Sequence, residues 1–315
     1  MEVLDSALHI WNRGHPRPTT ADNAQARRGG IPRVGRPYFN GSEPVTAEIM
    51  LHAMNEVGVD GAILVTPRIY ALEESQRNGF DDRYSLAAAA RYPDRFRVVG
   101  RLGPFAPDID DQVAAWKAEP YGVGLRVTGN TTERLGADRA GMDAETRALL
   151  HEPFLNAVER YDVPLCVVCP NYLDLVIPPM AERHPELQIV LDHFGMWHEL
   201  IPGVDAFEGL PKLLKLARYP NVAVKLTGLP ALSREGPPFR DLWPPLHQAL
   251  DAFGPQRLMW GSDATRCAHL VGYDEMVRYF TETMEISAAE KELMLARVLR
   301  RIFRWPASEV MPNQR

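Results

Sequence analysis

The sequence predicts an α/β protein, a (β/α)8 TIM barrel that forms a single domain over residues 1–315. Short β-branched runs alternate with longer amphipathic segments almost from end to end, and this alternation is typical of a parallel sheet whose strands are connected by helices. The chain holds about eight such units, and in a protein of this length they close most economically as a barrel.

Each predicted strand is a short run of aliphatic and β-branched residues, and each predicted helix repeats its apolar residues at helical spacing. The strands are predicted at residues 4–9, 61–66, 96–102, 122–127, 163–168, 187–191, 222–226 and 257–260. The helices are predicted at 46–57, 84–92, 144–161, 173–183, 206–217, 242–253 and 273–284. Three turns, at 91–95, 183–186 and 218–221, place a proline after a basic residue and so end a helix. We expect these turns at the bottom of the barrel, where they stabilise the fold.

One segment is too long and irregular for an ordinary connection. Residues 12–43 are rich in Pro, Gly and Arg. We expect them to form a loop over the barrel mouth, and a disordered segment is the alternative interpretation. The sequence indicates no second domain, internal repeat or low-complexity stretch.

Composition argues against several classes of partner. The net charge is −6 with a sequence pI near 5.9, and the basic clusters are short, so nucleic-acid binding is not expected. No apolar run approaches the length of a membrane span, and the chain starts in a strand-like segment without a basic and apolar leader. We therefore expect a cytoplasmic protein with no membrane partner. The oligomeric state stays open, with a homo-oligomer among the alternatives.

Two of the three cysteines, Cys166 and Cys169, could be mistaken for a redox or zinc pair. Residues three apart on a strand point to opposite faces, so these thiols cannot share a metal or readily form a disulfide. We interpret them as buried structural thiols.

Three predicted strands end on side chains suited to metal binding or acid–base chemistry: His9, His193 and Asp263. A barrel enzyme carries its active site at the carboxyl ends of its strands. One histidine at a strand end is more often structural, but several polar groups at the same end of different strands favour a functional site. The predicted site comprises His9, Trp11, Arg68, Tyr70, Arg126, Asn171, His193, Lys225 and Asp263.

These strand ends resemble the amidohydrolase-related family of (β/α)8 hydrolases. The resemblance runs from about Val3 to Trp305 and is carried by Leu-Asp-x-x-x-His-Ile-Trp at 4–11, Leu-Asp-His-Phe-Gly at 191–195, Val-Lys-Leu-Thr-Gly at 224–228 and Trp-Gly-Ser-Asp at 260–263. The family includes sugar-acid lactonases, 2-pyrone-4,6-dicarboxylate lactonase and aminocarboxymuconate-type decarboxylases. The resemblance implies a barrel hydrolase of the lactonase-like branch.

The resemblance also implies a set of metal ligands: His-x-His on the first strand, His on the sixth and Asp on the eighth. The corresponding residues here are Ala7 with His9, then His193 and Asp263. A methyl group cannot coordinate a cation, so His9, His193 and Asp263 would hold a divalent metal, zinc first, only weakly. Three explanations stay open: a metal-free protein, a weakened metal site, or an engineered replacement of a histidine by Ala7. Of the three, we rank the metal-free protein first.

Metal-free hydrolysis of a lactone needs a base for water and positive charge near the developing oxyanion. Asp263 is the predicted base, while His193 with His9 would polarise the carbonyl or accept a proton. Arg126 and Arg68 are predicted to bind a substrate carboxylate. Tyr70 and Asn171 are predicted to orient the substrate. Trp11 is predicted to form an apolar wall of the site, and Lys225 to contact the substrate with its positive charge.

The predicted function is therefore hydrolysis of a small anionic cyclic ester. One alternative is a non-oxidative decarboxylase of an aromatic or muconate-like acid, which would normally require the metal. Another is a pseudoenzyme that binds such a ligand without turnover, because Ala7 removes a residue that hydrolysis would need. Structural alternatives also exist for single residues: Arg126 would neutralise Asp263, and Lys225 would serve as an ion-pair partner.

Overall fold

The computed structural model describes residues 1–12, 33–39, 44–66, 82–129, 149–170, 172–196 and 205–306. Eight parallel strands follow one another in sequence order around one sheet. They are β1 (Leu4–Leu8), β2 (Gly61–Val65), β3 (Phe96–Gly100), β4 (Gly122–Thr128), β5 (Leu165–Val168), β6 (Ile189–Leu191), β7 (Val222–Thr227) and β8 (Leu258–Gly261). The chain just after β8 returns to β1, where the Asp263 backbone N–H donates to the Ala7 carbonyl at 3.0 Å. The predicted (β/α)8 barrel is confirmed.

Helices connect the strands on the outside of the barrel. They are α1 (Ala47–Val57), α2 (Asp82–Arg91), α3 (Ile109–Ala118), α4 (Glu152–Arg160), α5 (Leu173–Arg183), α6 (Leu210–Lys215), α7 (Trp243–Phe253), α8 (Ala264–Cys267), α9 (Tyr273–Thr281), α10 (Ala288–Glu292) and α11 (Val298–Ile302). The basic residues of the three predicted turns do close helical segments: α2 ends at Arg91, α5 ends at Arg183, and a 3-10 turn after α6 ends at Arg218. None of the helices in these described ranges is both long and apolar enough to cross a membrane.

Besides the four-residue helix α8, two longer helical regions of the described chain lie outside the predicted segments. Helix α3 buries Ile109, Val113 and Trp116, which lie on one face at helical spacing, although polar residues fill the rest of the segment. The second region runs from α10 to α11 through a π-helical turn, Leu293–Arg297. The sequence prediction missed both because each apolar stripe is short.

The C-terminal segment closes the barrel at the amino ends of its strands. Phe303 and Trp305 join the apolar cluster inside the barrel, together with inward-facing residues such as Ile63 and Cys166. A Cβ added to Gly61, the first residue of β2, would lie 2.8 Å from the Trp305 ring. The interior is therefore a packed core, and the opposite end of the barrel is left for a site.

The cysteines behave as structural thiols. Cys166 and Cys169 are both free and buried, the first in the inner-barrel cluster and the second in the outer core. Burial raises the pKa of Cys166 to about 11, so its thiol stays protonated and unreactive at neutral pH.

Much of the loop predicted at 12–43 lies outside the described residues, namely 13–32 and 40–43. Its described part, 33–39, packs against the connection that follows α8. Arg33 Nε donates to the Ala268 carbonyl at 2.8 Å, and Val34 exchanges backbone hydrogen bonds with Leu270 and Gly272. These contacts place residues 33–39 beside the chain that leaves the carboxyl end of β8.

Candidate active site

Three of the predicted site residues meet at the carboxyl ends of β1, β6 and β8. His9 Nε2 lies 3.2 Å from Asp263 Oδ1, and His193 Nδ1 lies 3.5 Å from Asp263 Oδ2. All three residues are buried, and Asp263 is completely so. The structure therefore brings together two imidazoles around one carboxylate.

The backbone at these strand ends is strained. His193, Phe194 and Asp263 adopt left-handed conformations with φ of 54°, 57° and 51°, which non-glycine residues rarely adopt. Hydrogen bonds hold the two site residues there: Asp263 N–H donates to Ala7 O, and His193 N–H donates to Thr227 Oγ1 at 3.0 Å. Strain of this kind collects at functional sites, where it fixes the direction of a side chain.

Both ring nitrogens of His9 face groups that can only accept. Nδ1 contacts the Val65 carbonyl at 2.5 Å, and Nε2 faces the Asp263 carboxylate. His9 therefore lies between a backbone carbonyl and the carboxylate of Asp263.

His193 lies between a guanidinium and a hydroxyl group. Its Nε2 lies 3.1 Å from an Arg126 Nη2 group, which can only donate, so Nε2 accepts. Its Nδ1 lies 3.0 Å from Thr227 Oγ1. The ring is therefore fixed from both sides.

Asp263 has a cationic partner that was not predicted from the sequence. Arg266, three residues further along in α8, donates from Nε to Asp263 Oδ2. Burial would raise the pKa of Asp263, but Arg266 and the two histidines outweigh it and hold that pKa well below its usual range. Asp263 is consequently a fixed carboxylate at neutral pH. The only sequence signal for Arg266 was its position one helical turn after the strand-end Asp.

A chain of buried charges leads from the site into the barrel. Arg126 Nε lies 3.0 Å from Asp192 Oδ2, and Lys225 Nζ lies 3.1 Å from Asp192 Oδ1. Burial would lower the pKa of Lys225, but Asp192 outweighs it and raises that pKa, so the side chain is an ammonium. The expectation that Arg126 neutralises Asp263 is corrected here, because its carboxylate partner is Asp192.

Lys225 does not reach the barrel mouth. Its side chain is fully buried, its ammonium lies 5.3 Å from the Phe303 ring centre, and its carboxylate partner is Asp192. This placement favours the ion-pair interpretation over a direct substrate contact, because the Lys225 ammonium already has the Asp192 carboxylate as its partner.

Trp11 packs into the main hydrophobic core, where it is 3% exposed, and its backbone N–H donates to Val45 O at 2.9 Å. This burial favours a structural role over an apolar wall for substrate. Three other predicted contacts, Arg68, Tyr70 and Asn171, lie outside the described residues.

The candidate metal ligands do not fit a divalent cation in this arrangement. The His193 Nε2 lone pair accepts from Arg126, and Asp263 Oδ2 accepts from Arg266. Both partners are permanent cations, so a metal among these donors would be repelled from two sides. Within the described ranges, no group of three or more His, Cys, Asp or Glu side chains has the arrangement of a metal site. The donors are engaged by partners within the chain.

A second buried network fixes the segment that carries Asp263. Asp5 Oδ1 accepts from the backbone N–H of Ser262 at 2.9 Å and of Ala7 at 3.1 Å. Its Oδ2 accepts from Ser262 Oγ and from Tyr273 Oη. Burial raises the pKa of Asp5 to about 6, although these hydrogen bonds lower it. Asp5 thus anchors β1, the end of β8 and α9 around Asp263.

Replacing Asp5 by Asn should remove a pH dependence of stability. The folded-state pKa lies above the unfolded value, so the stability that Asp5 contributes is fully present below about pH 4 and is lost as pH rises through about 6, a change of about 3 kcal/mol. An amide can keep the network if the two hydroxyls rotate. The measured quantity is the free energy of unfolding of Asp5→Asn minus that of the parent, from urea unfolding. We expect this difference to rise by about 3 kcal/mol between pH 4 and pH 7.5.

The exposed Asp111 of α3 provides the matched control, because Asp111→Asn should give a flat difference over the same range. A flat difference for Asp5→Asn as well would contradict the assignment of a raised pKa to Asp5.

The chain is a (β/α)8 barrel that carries two histidines and an aspartate just after β1, β6 and β8. The amidohydrolase family model matches residues 6–305, and the chain belongs to that family. The resemblance carried by the strand-end motifs is confirmed.

The relatives include lactone hydrolases. The chain is 29% identical to an L-fucono-1,5-lactonase of Burkholderia ambifaria over 58% of this chain, and the aligned part is 60% of that lactonase's length. It is 30% identical to a 4-sulfomuconolactone hydrolase of Rhizobium radiobacter over 72% of this chain and 68% of that protein. Among solved structures, a zinc-bound amidohydrolase of Burkholderia multivorans superposes with a TM-score of 0.70 at 24% identity, covering 97% of this chain and all of the other. At that identity the structural likeness speaks for the fold alone.

Proposed function

We propose that this protein hydrolyses a lactone or related cyclic ester of a small carboxylated metabolite, and that it does so without a resident metal. The observation that carries the proposal is the pairing of the two strand-end acid–base groups with arginines: Arg126 with His193 and Arg266 with Asp263. These guanidinium groups supply positive charge where a metal would otherwise supply it. The lactonases among the relatives support the reaction type.

The charges at the site support an anionic substrate. Asp192 and Asp263 are the two carboxylates of the described ion-pair network around His193. Three cations contact them, namely Arg126, Lys225 and Arg266. The positive excess attracts an anion, and the side chains of Arg126 and Arg266 keep 11% and 27% exposure through which to meet it.

The proposed mechanism uses Asp263 as the base. A water molecule attacks the lactone carbonyl carbon and passes a proton to Asp263. The carbonyl oxygen becomes an oxyanion, which the partly exposed guanidinium of Arg126 stabilises. When the intermediate collapses, the ring C–O bond breaks and the proton passes from Asp263 to the departing ring oxygen. The product is an open hydroxy acid, and its new carboxyl group releases one proton to neutral solvent.

A panel of lactones with a pH indicator tests the proposal. Five- and six-membered lactones that carry a carboxylate should release acid, with kcat/KM at least about tenfold above that for the same lactones as uncharged methyl esters. Acid release from none of them would contradict the hydrolase. Loss of carbon dioxide from an aromatic acid would favour the decarboxylase, and saturable binding without turnover would favour the pseudoenzyme.

A further inference from the structure

We infer that Arg266 takes the place of a metal cation at this site: it neutralises Asp263 from within the chain and keeps a divalent metal out. A histidine at position 7 would therefore not restore a tight metal site by itself. The inference deepens the proposed metal-independent function, but it does not depend on which lactone is the substrate. It is carried by the contacts that Arg266 makes with Asp263.

The pair is built into one helical turn. Arg266 lies three residues after Asp263, and its backbone N–H donates to the Asp263 carbonyl at 3.1 Å. Its side-chain Nε donates to Oδ2 of the same residue, whose side chain is fully buried. The cation is therefore delivered to the carboxylate by local chain geometry, with little additional loss of conformational freedom.

Neighbouring residues leave room for the guanidinium. Gly228, after β7, has a left-handed φ of 72°, and a Cβ added to it would lie 3.4 Å from Arg266 Nη2 and 3.7 Å from the Asp263 Cβ. That Nη2 group also lies 3.5 Å from Cys267 Sγ. These are ordinary van der Waals distances, so the glycine is required by the left-handed turn, and the guanidinium packs directly over that turn.

A proton and a fixed cation compete with a metal for the same carboxylate in different ways. Metal ligands ordinarily release protons as they bind, so higher pH favours the metal. A guanidinium stays charged at any pH that a folded protein tolerates. A metal that approached Asp263 would have to displace Arg266 and expose its charge, and this cost would remain after a missing ligand is restored.

Position 7 is suited to the restoring substitution. Ala7 lies on β1 two residues before His9, so both side chains point to the same face of the strand. Its carbonyl accepts from the Asp263 backbone N–H at 3.0 Å, which places residue 7 beside the backbone of Asp263. Ala7→His therefore adds an imidazole to the same group of donors without altering that backbone contact.

Zinc affinity, measured by competition with a chromophoric chelator, tests the inference in parent, Ala7→His, Arg266→Met and the double variant. The double variant should bind one zinc at least about a hundredfold more tightly than Ala7→His alone, because only it has the added ligand without the competing cation. Ala7→His with Arg266→Lys, which keeps the charge, should bind like Ala7→His. Ala7→His with Arg278→Met, which removes an exposed arginine of α9, should do the same.

Equal zinc affinities for Ala7→His and the double variant would overturn the inference, as would tight stoichiometric zinc binding by the parent. If the double variant fails to fold, Arg266→Gln replaces Arg266→Met, since the amide can still donate to Asp263 without a charge. The same hundredfold gain is expected, and its absence in a folded Gln variant overturns the inference. Zinc binding is read without turnover, so this outcome is separable from failure of the lactone assay.

Discussion

Replacing Asp263 by Asn should lower turnover of the lactone substrate by on the order of a hundredfold or more, with the fold intact. The amide keeps the shape of the side chain but cannot accept the proton of the attacking water. It also leaves the charge of Arg266 without its carboxylate. The loss should appear in kcat, because the carboxylate is proposed to act on water in the chemical step.

The pH–rate profile gives a second expected result. Since the pKa of Asp263 is held well below its usual range, the group is ionised throughout the neutral region. The acid limb that reports Asp263 in the parent should therefore lie below about pH 4. The matched control is Asp94→Asn, an exposed Asp in the turn after α2 at the other end of the barrel, which should leave kcat unchanged. Near-parental kcat for a folded Asp263→Asn protein would contradict the role of Asp263 as the base.

Replacing Arg126 by Ala should mainly weaken binding of an anionic lactone. A charge-assisted contact contributes about 1.5 to 3 kcal/mol, so KM should rise roughly 10- to 150-fold. The partly exposed side chain of Arg126 lies between His193 and Asp192, and its substitution also removes the hydrogen bond to His193 Nε2. We therefore expect a smaller fall in kcat alongside the change in KM.

An uncharged lactone separates substrate binding from a structural role. Its KM should change little in Arg126→Ala, because it has no carboxylate to lose. Arg126→Lys keeps the charge without the planar fork, so it should recover part of the affinity for the anionic lactone. An equal loss for charged and uncharged lactones would assign Arg126 to the support of Asp192 alone.

The barrel could be predicted because each strand and most helices are marked by a pattern within a short stretch of sequence. Aliphatic runs bounded by turns locate the strands, and prolines after Arg91 and Arg183 locate helix ends. Helix α3 and the C-terminal segment were harder to predict, because their apolar residues form short stripes whose burial depends on the barrel they cover. Trp305 is one example, since its burial comes from packing against β2 in the closed barrel.

The site could be predicted only in part. Strand ends located His9, His193 and Asp263, whose convergence follows from parallel strands in one barrel. The partners of these groups depend on side-chain direction and depth, which spacing does not fix. The depth of Lys225 could not be predicted, because its strand is buried on both faces and the sequence does not mark how far inside the barrel the residue lies. The side-chain direction of Arg266 could not be predicted either, because its spacing from Asp263 alone does not turn the side chain back onto that residue.

Metal dependence of lactone turnover tests the central claim most directly. The purified protein would be analysed for zinc and manganese, and kcat/KM for a carboxylated lactone would be measured before and after chelation and desalting. We expect substoichiometric metal and a kcat/KM that changes by less than about twofold. Stoichiometric metal whose removal abolishes turnover, and whose return restores it, would contradict the account.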